Sequence, residues 1–153
     1  MEAITGIERL MALREIELLK ARRDRAADTN DWALYESLHA PDHTSENGDY
    51  GRWTSAAEMI ANTRKSMENL TTLHHSHTPE IEFVSGVKAT GIWAMEGLSV
   101  WQQAGIEQWF QAFGHYHEVY EKRDGRWLFT WRKLTYYHTR KSPGADFPPK
   151  ING

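Results

Sequence analysis

The N-terminal part of the chain places apolar residues three and four positions apart, with no proline and no glycine after Gly6. Residues at these spacings share one face of an α-helix. The pattern therefore predicts a first helix from Ile4 to about Ala27. Its apolar positions are Ile7, Leu10, Met11, Leu13, Ile16 and Leu18. We expect the basic run over residues 20–25 to form a solvated face of this helix, because charged runs are usually exposed.

A second, shorter helix should follow the first. The polar residues 28–31 interrupt the first helix and can cap the next one. This second helix carries Trp32, Tyr35 and Leu38 on one face. Pro41 should end it, because the residue before a proline is pushed out of the helical conformation.

A weak hairpin pattern spans residues 43–53, with turn signals at Asn47-Gly48 and Tyr50-Gly51. Behind it, Ser55 and Glu58 have the spacing of a capping box at the start of a helix. A third helix is therefore predicted. Its apolar stripe runs through Met59, Ile60, Thr63, Met67 and Leu70.

From Thr71 the period changes to that of strands. Four segments rich in β-branched and aromatic residues are separated by turn signals such as Asp124-Gly125. They cover residues 78–84, 89–101, 107–123 and 127–138. Helices followed by hairpin-connected strands predict an α+β domain with the helices on one face of a curved sheet. We expect one domain over residues 1–153, ending in a proline-rich tail from about residue 142.

The composition is that of a soluble globular protein, with 40% apolar residues, 25% charged residues and a net charge of −3. This charge does not attract nucleic acid or an anionic membrane, so we expect neither as a partner. No apolar run approaches the ~20 residues that span a bilayer, and the N-terminus lacks the basic and apolar regions of a signal peptide. Together with the absence of cysteine, these features predict a cytoplasmic protein without disulfides.

Three imidazoles, those of His74, His75 and His77, stand directly before a predicted strand. Histidine accepts and returns protons near neutral pH because its unperturbed pKa is roughly 6.5. An aspartate at a helix end, such as Asp28, can bind one ring nitrogen of a facing histidine and stabilise the imidazolium. His74 would then be a general base. The alternatives are that Asp28 only caps the second helix and that His74 is structural.

Three segments carry a resemblance to a known family: residues 27–32, 72–85 and 120–127. They resemble the SnoaL-like branch of the nuclear-transport-factor-2-like superfamily. The resemblance implies a cone-shaped α+β barrel, with three N-terminal helices packed on a strongly curved, mainly antiparallel sheet. Asp28 and His74 match the catalytic aspartate and histidine of scytalone dehydratase, bile-acid dehydratase and hexachlorocyclohexane dehydrochlorinase. The resemblance also implies that no cofactor and no metal take part.

The activity that the resemblance implies is that of a cofactor-free lyase. It would remove a proton and a leaving group from a small hydrophobic cyclic compound, as a dehydratase or a dehydrochlorinase does. The same pair of residues supports isomerisation or cyclisation, which differ in where the proton returns. A third interpretation is non-catalytic, because the fold also serves as a ligand-binding module and as the β subunit of ring-hydroxylating dioxygenases.

Two arginines are candidates for stabilising a leaving group. Arg23 precedes Asp28 at the position where dehydrochlorinase-like sequences carry a lysine, and Arg132 lies on the last predicted strand. A cation at either place can stabilise the charge of a departing anion. The alternative for Arg23 is one more solvated arginine of a basic helix face. Arg132 can act in this way only if its side chain faces inward, which the alternation along a strand does not determine. Glu96, a charge in an apolar segment, is either a second acid or a surface carboxylate.

The candidates for the wall of a substrate pocket are mostly aromatic residues of strands. They are Trp53, Trp93, Trp101, Trp109, Phe113, Tyr116, His117 and Trp131. Such residues are equally at home in a core, so each is a wall residue or a core residue. Their number favours a hydrophobic, ring-containing ligand over a sugar or a phosphate.

The other histidines raise the question of a metal. We expect His75 to point away from His74, and His77 to point to the same side as His74. His115 and His117 share one face of a strand, at a spacing by which two imidazoles can hold zinc. No acidic or thiolate ligand stands at a recognised spacing, so we expect no metal.

Self-association is expected from the predicted sheet. An exposed antiparallel sheet with many aromatic residues needs to be covered. We therefore expect a homo-oligomer, a trimer rather than a dimer, in which the proline-rich tail can pack on a neighbouring subunit.

Overall fold

The computed structural model describes residues 4–48 and 51–147, which form three helices and six strands. In chain order these are α1 (Gly6–Asp28), α2 (Trp32–Ser37), β1 (His39–Asn47), β2 (Arg52–Trp53), α3 (Ala56–Ser66), β3 (Thr71–Ser85), β4 (Lys88–Gln103), β5 (Ile106–Arg123) and β6 (Arg126–Lys141). The strands form one sheet in the order β2-β1-β6-β5-β4-β3. Only the pairing of β1 with β6 is parallel. Helices α1 and α3 pack on this curved sheet, which confirms the predicted cone-shaped α+β fold.

The first helix is confirmed, but its predicted apolar face is partly wrong. Ile7 and Leu10 are 72% and 64% exposed, whereas the buried face carries Ile16 and Lys20. Arg23 is buried on the same face, so the basic run is not simply a solvated surface. The period of the sequence identified the helix correctly. Packing against the sheet selected a different face, one that contains charges.

The second helix ends at Ser37, earlier than the predicted end near Pro41, and β1 begins at His39. Pro41 therefore lies inside a strand. It falls between His39 and Thr44, where the pairing of β1 with β6 is irregular. A proline is tolerated there because no regular ladder bond needs its missing amide hydrogen.

The third helix begins as its capping signal predicts. The Ser55 hydroxyl accepts a hydrogen bond from the Glu58 amide at 3.2 Å. The Glu58 carboxylate accepts one from the Thr54 amide at 3.1 Å, one residue before the position of the usual reciprocal bond. The predicted hairpin of β1 and β2 is also present, although residues 49–50 at its turn lie outside the described residues.

Strand β3 begins at Thr71, well before the predicted start at Thr78. Its first part pairs with β4 from Thr71 opposite Val100 to His77 opposite Ala94. The pairing then shifts between His77 and Glu80, and Thr78 adopts a φ of 32°. This irregularity resets the alternation of side chains. The sequence pattern therefore revealed only the part of the strand that follows it.

The inner side of the sheet holds the core. Ile16 and Leu19 of α1 pack against Tyr120, Trp127 and Phe129 of the sheet. Each large side chain of this kind contributes about 1.5–3 kcal/mol when it leaves water. Among the described residues, no helix combines the length and the hydropathy that crossing a lipid bilayer requires.

A buried ion pair joins α1 to the sheet through this core. The Lys20 ammonium lies 2.5 Å from Glu118 Oε1, and both side chains are almost fully buried. The Tyr120 hydroxyl donates to the other oxygen of Glu118 at 2.5 Å and accepts from the Trp93 indole nitrogen at 2.8 Å. The Lys20 ammonium also lies 3.7 Å from the centre of the Tyr116 ring. These partners offset the cost of removing two charges from water.

The described part of the C-terminal tail, residues 142–147, packs on its own chain. The Phe147 ring stacks on Phe110, with 3.9 Å between the ring centres. The Ser142 hydroxyl bonds to Gln108, and Ala145 is buried. Pro148 and Pro149 lie outside the described residues. Contact of the tail with another subunit stays a prediction.

Two imidazoles of β1 are buried beside α1 and β6. The His39 ring stacks on Phe129 with 5.2 Å between centres, and the His43 ring meets His39 edge-on at 4.9 Å. Burial and the Arg23 cation lower the pKa of His39 well below 6.5 and that of His43 to about 4. Both imidazoles are therefore neutral in the folded protein near neutral pH.

Acid should destabilise the protein through these two imidazoles. Below about pH 6.5 the unfolded chain binds protons at both, whereas His43 in the folded chain binds one only near pH 4. Their contribution to stability is therefore complete above about pH 6.5 and falls as the pH drops toward 4. We expect His43→Leu to flatten this fall. Urea unfolding between about pH 7.5 and 4.5 measures it, and an unchanged pH slope in the variant would contradict the prediction.

Gly114 marks a place where two strands approach closely. A Cβ atom there would lie 2.0 Å from the Thr135 carbonyl oxygen, a backbone atom of the neighbouring strand. We expect Gly114→Ala to lower the free energy of unfolding by about 1–3 kcal/mol or more, because the strands must shift. Gly97→Ala is the matched control, since its Cβ would meet only the flexible end of Met95 at 3.5 Å. Equal unfolding midpoints for the two variants would contradict the prediction.

Candidate active site

The helices and the inner side of the sheet enclose a cavity of about 300 Å³. Its wall is mainly apolar and includes Trp53, Met59, Met67, Met95, Phe110 and Leu134. The polar side chains at the wall include those of Arg23, His74, Tyr116 and Arg132. A small apolar cavity with a few convergent polar groups is typical of a site for a small molecule.

The predicted pair of Asp28 and His74 is assembled at this cavity. Asp28 is the last residue of α1, and His74 lies on β3 on the side that faces the helices. The distance from His74 Nδ1 to Asp28 Oδ1 is 2.6 Å. The backbone amide of His74 donates to Asp28 Oδ2 at 2.9 Å, and the Thr72 hydroxyl donates to Oδ1 at 3.0 Å. One carboxylate therefore accepts three hydrogen bonds from one strand.

These bonds determine the protonation of the pair. Burial alone would raise the pKa of Asp28, but the hydrogen bonds and charge of His74 outweigh it and lower the pKa below 3.8. The carboxylate is therefore ionised near neutral pH. It can only accept, so His74 Nδ1 carries a hydrogen, and in the neutral form of the ring Nε2 has the free lone pair. A histidine at the cavity wall is thus held in the tautomer that a general base needs.

The alternative that Asp28 caps the second helix is wrong. Asp31 caps α2, since its carboxylate accepts from the Leu34 amide at 3.1 Å. Sequence reasoning missed Thr72, although it lies two residues before His74 and so shares its face of the strand. It also missed a second link between α1 and β3, in which the Ser76 hydroxyl donates to Asp24 Oδ2 at 2.6 Å.

Arg23 lies at the cavity wall but is bound to other groups of the protein. Its guanidinium donates to the Tyr35 hydroxyl at 2.6 Å and to His39 Nε2 at 3.2 Å. Burial alone would lower the pKa of Arg23, but Tyr35 and the other acidic groups around it raise the pKa above its ordinary value. Arg23 is therefore a charged, buried support for the wall of the cavity.

Arg132 is also buried at the cavity wall, and its surroundings differ from those of Arg23. Its guanidinium lies 4.4 Å from the centre of the Tyr116 ring, and it makes no ion pair with a carboxylate of the described residues. Glu118 stands opposite Arg132 in the strand register but is engaged by Lys20 and Tyr120. Arg132 therefore has a charge available for a ligand.

The predicted pocket aromatics divide between several environments. Trp53 and Tyr116 line the cavity, and burial raises the pKa of the Tyr116 hydroxyl well above 10, so it stays protonated. Trp93 and Trp101 face inward but are buried in the core, outside the cavity wall. The remaining candidates, which lie on the opposite face of the sheet, are Trp109, Phe113, His117 and Trp131.

The predicted pocket positions on β5 and β6 therefore need correction. Inward residues of β5, such as Tyr116, alternate with outward residues, such as Phe113 and His117. Trp131 pairs with the outward residue Val119. These side chains cannot contact a ligand in the cavity, because the sheet separates them from it. His117 and Trp131 instead border a shallow depression on the outer face.

The other candidate histidines, which are His75, His77, His115 and His117, also lie on the outer face. His77 lies beside His75, with 6.1 Å between ring centres, and so does not share the side of His74 as expected. Residues two apart in a strand share a face, whereas residues three apart do not. His115 and His117 share the outer face, but no third ligand joins them among the described residues. Glu96 is a half-buried carboxylate of this outer face.

The fold agrees with the family comparison. The chain belongs to the family defined by the SnoaL-like domain, whose model matches residues 8–133. No curated protein matches the chain.

Solved structures share the fold over most of the chain. A predicted scytalone dehydratase from Novosphingobium aromaticivorans is 20% identical, with 89% of this chain and 91% of that one covered and a TM-score of 0.81. A hexachlorocyclohexane dehydrochlorinase, LinA type 2, is 22% identical, with 95% and 98% covered and a TM-score of 0.79. A LinA type 3 dehydrochlorinase from Novosphingobium barchaimii is 21% identical, with 95% and 100% covered and a TM-score of 0.76. At these identities the likeness establishes the fold.

The two arginines should respond differently to the same substitution. Arg23→Met leaves the Tyr35 hydroxyl and His39 Nε2 buried without their donor, so we expect a loss of about 2–4 kcal/mol in the free energy of unfolding. Arg132→Met removes only a contact with a ring, and we expect a change of about 1 kcal/mol or less. Urea unfolding of both variants measures this difference. Equal losses would show that Arg132 also has a structural partner.

Proposed function

We propose that this protein is a cofactor-free lyase that eliminates water or a halide from a small hydrophobic cyclic compound. The observation that carries the proposal is the bond between Asp28 and His74 at the wall of an apolar cavity. Among the neighbours named for an activity, a predicted scytalone dehydratase and the dehydrochlorinases are named for eliminations, whereas a third kind is named a predicted aromatic ring hydroxylase. Because their identity to this chain is only 20–22%, these neighbours support the proposal without establishing it.

His74 is the proposed general base. Its Nε2 takes a proton from a carbon of the substrate, the electrons of that C–H bond form the new double bond, and the leaving group departs from the adjacent carbon. Asp28 holds the ring and stabilises the imidazolium, because its charge lies 2.6 Å from Nδ1. A base positioned in this way contributes about 10²–10⁴ to the rate.

Arg132 is the proposed group that stabilises the departing anion. It is buried at the cavity wall and forms no ion pair with a described carboxylate, so its charge acts in a medium of low dielectric. The protonated Tyr116 hydroxyl at the same wall can donate a hydrogen bond to the substrate or the leaving group. Arg23 contributes less directly, because Tyr35 and His39 already accept its hydrogen bonds.

The size and lining of the cavity support the proposed substrate class. A volume of about 300 Å³ is at the lower end of the range for small-molecule sites, roughly 300–1,000 Å³. Its methionine, leucine and aromatic wall favours a compact, mostly apolar ring over a sugar or a phosphate. Isomerisation by the same pair is the second candidate. The base removes the same proton in both reactions, but in an isomerisation the proton returns to another atom of the substrate and no group departs.

The experiment is a screen followed by two substitutions. The panel contains chlorinated cyclohexanes and hydroxylated ring compounds, and the readouts are chloride release and product analysis by mass spectrometry. On a compound that the protein converts, we expect His74→Ala and Asp28→Asn each to lower kcat by about 10²–10⁴. Asparagine preserves the size of Asp28 but removes its charge and presents a donor to a donor.

His115→Ala is the matched control, because it removes an exposed imidazole from the outer face of the sheet and should leave kcat unchanged. Undiminished turnover in the His74 or Asp28 variant would overturn the proposed chemistry. Loss of the C–H proton without loss of a leaving group would assign the same pair to isomerisation. Binding of panel compounds, detected by a shift in melting temperature, without conversion by the wild type would favour the non-catalytic interpretation.

A further inference from the structure

The outer face of the sheet carries a cluster of side chains that the cavity does not explain. His75 and His77 project from β3 on the side opposite to His74. Glu96 of β4 stands directly across from His75 in the strand register. The ligand atoms of His75, His77 and Glu96 all lie within 4.8 Å of one another. This cluster is separated from the cavity by the thickness of the sheet.

We propose that His75, His77 and Glu96 bind one divalent transition-metal ion, of which Zn²⁺ is the representative. Zinc binds imidazole nitrogen and carboxylate oxygen at about 2.0–2.2 Å, so two ligands of one ion lie about 3–4 Å apart. The ligand atoms of the cluster lie within 4.8 Å of one another, which is close to that spacing. Both histidines are exposed, so small rotations of their side chains can close the difference.

The donor set selects the kind of ion. Two imidazoles with one carboxylate suit Zn²⁺, Ni²⁺, Cu²⁺ or Fe²⁺, whereas Ca²⁺ and Mg²⁺ prefer oxygen ligands alone. Three ligands leave the coordination sphere incomplete. The outward direction of the two histidines leaves the remaining positions open to water.

Neighbouring side chains already hold the carboxylate in place. The Gln111 amide nitrogen donates to Glu96 Oε1 at 2.8 Å, and the Arg140 Nε donates to the Gln111 amide oxygen at 2.9 Å. This chain fixes one oxygen of Glu96 and leaves Oε2 for a metal. Partners that orient a ligand in this way are typical of metal sites and raise their affinity.

Neither His75 nor His77 makes a hydrogen bond to another described residue, so their imidazole nitrogens are available as ligands. Within residues 4–48 and 51–147, this is the only cluster of three or more potential ligands. The site uses none of the residues in the proposed elimination. The inference is therefore independent of the proposed function.

The test is a titration of the full-length protein, purified without a histidine tag and stripped of metal with a chelator. We expect isothermal titration calorimetry with ZnCl₂ to show one ion bound per chain. His75→Ala, His77→Ala and Glu96→Gln should each abolish this binding. Gln111→Met, which removes the amide that orients Glu96 and accepts from Arg140, should weaken it by about 10–100-fold.

His138→Ala is the matched control. It removes an exposed imidazole that lies on β6 and is not part of the cluster. It should leave the zinc affinity unchanged. Circular dichroism verifies that each variant is folded. Absence of zinc binding to the wild type, or equal binding after the three ligand substitutions, would overturn the proposal. Half an ion per chain together with zinc-dependent association in sedimentation would also overturn it, since the ligands would then come from two chains.

Discussion

The carboxylate of Asp28 accepts three hydrogen bonds from β3, and the arrangement of the site depends on this contact. An anion at the C-terminal end of a helix faces the negative end of the helix dipole, which is unfavourable by itself. The donors from Thr72 and His74 offset that cost. They also join the end of α1 to an edge strand that pairs only with β4. The same three bonds that anchor the strand thus fix the orientation of the imidazole at the cavity.

Charges inside the cone are paired in a way that leaves one of them for a ligand. Lys20 is neutralised by Glu118, and Arg23 donates to Tyr35 and His39. Because Glu118 is occupied by Lys20, Arg132 has no carboxylate partner among the described residues. An unpaired cation in an apolar wall has a strong preference for an anion or a developing negative charge. This preference would serve the proposed elimination, in which a negative charge develops on the leaving group.

Strand β3 directs its adjacent histidines to opposite sides of the sheet. His74 faces the helices and the cavity, whereas His75 faces outward beside His77 and across from Glu96. A run of histidines in the sequence looks like one feature, but the pleat of the strand divides it between two sides of the sheet. The outer group then depends on β4 and β5, which supply the carboxylate and the amide that holds it.

The sequence by itself determined the three helices, the core of the strands and the family resemblance, because helical period, capping signals and matched motifs are local. The resemblance, rather than any local pattern, predicted that Asp28 meets His74. The sequence did not determine which face of α1 is buried, that Asp31 and not Asp28 caps α2, or which strand residues line the cavity. Alternation along a strand predicts that Tyr116 and His117 point in opposite directions, but it does not predict which of them points inward. That choice was made by tertiary structure, since the inner face exists only where distant helices pack on the sheet. For the same physical reason the ion pair of Lys20 with Glu118, 98 positions apart, was beyond any local pattern.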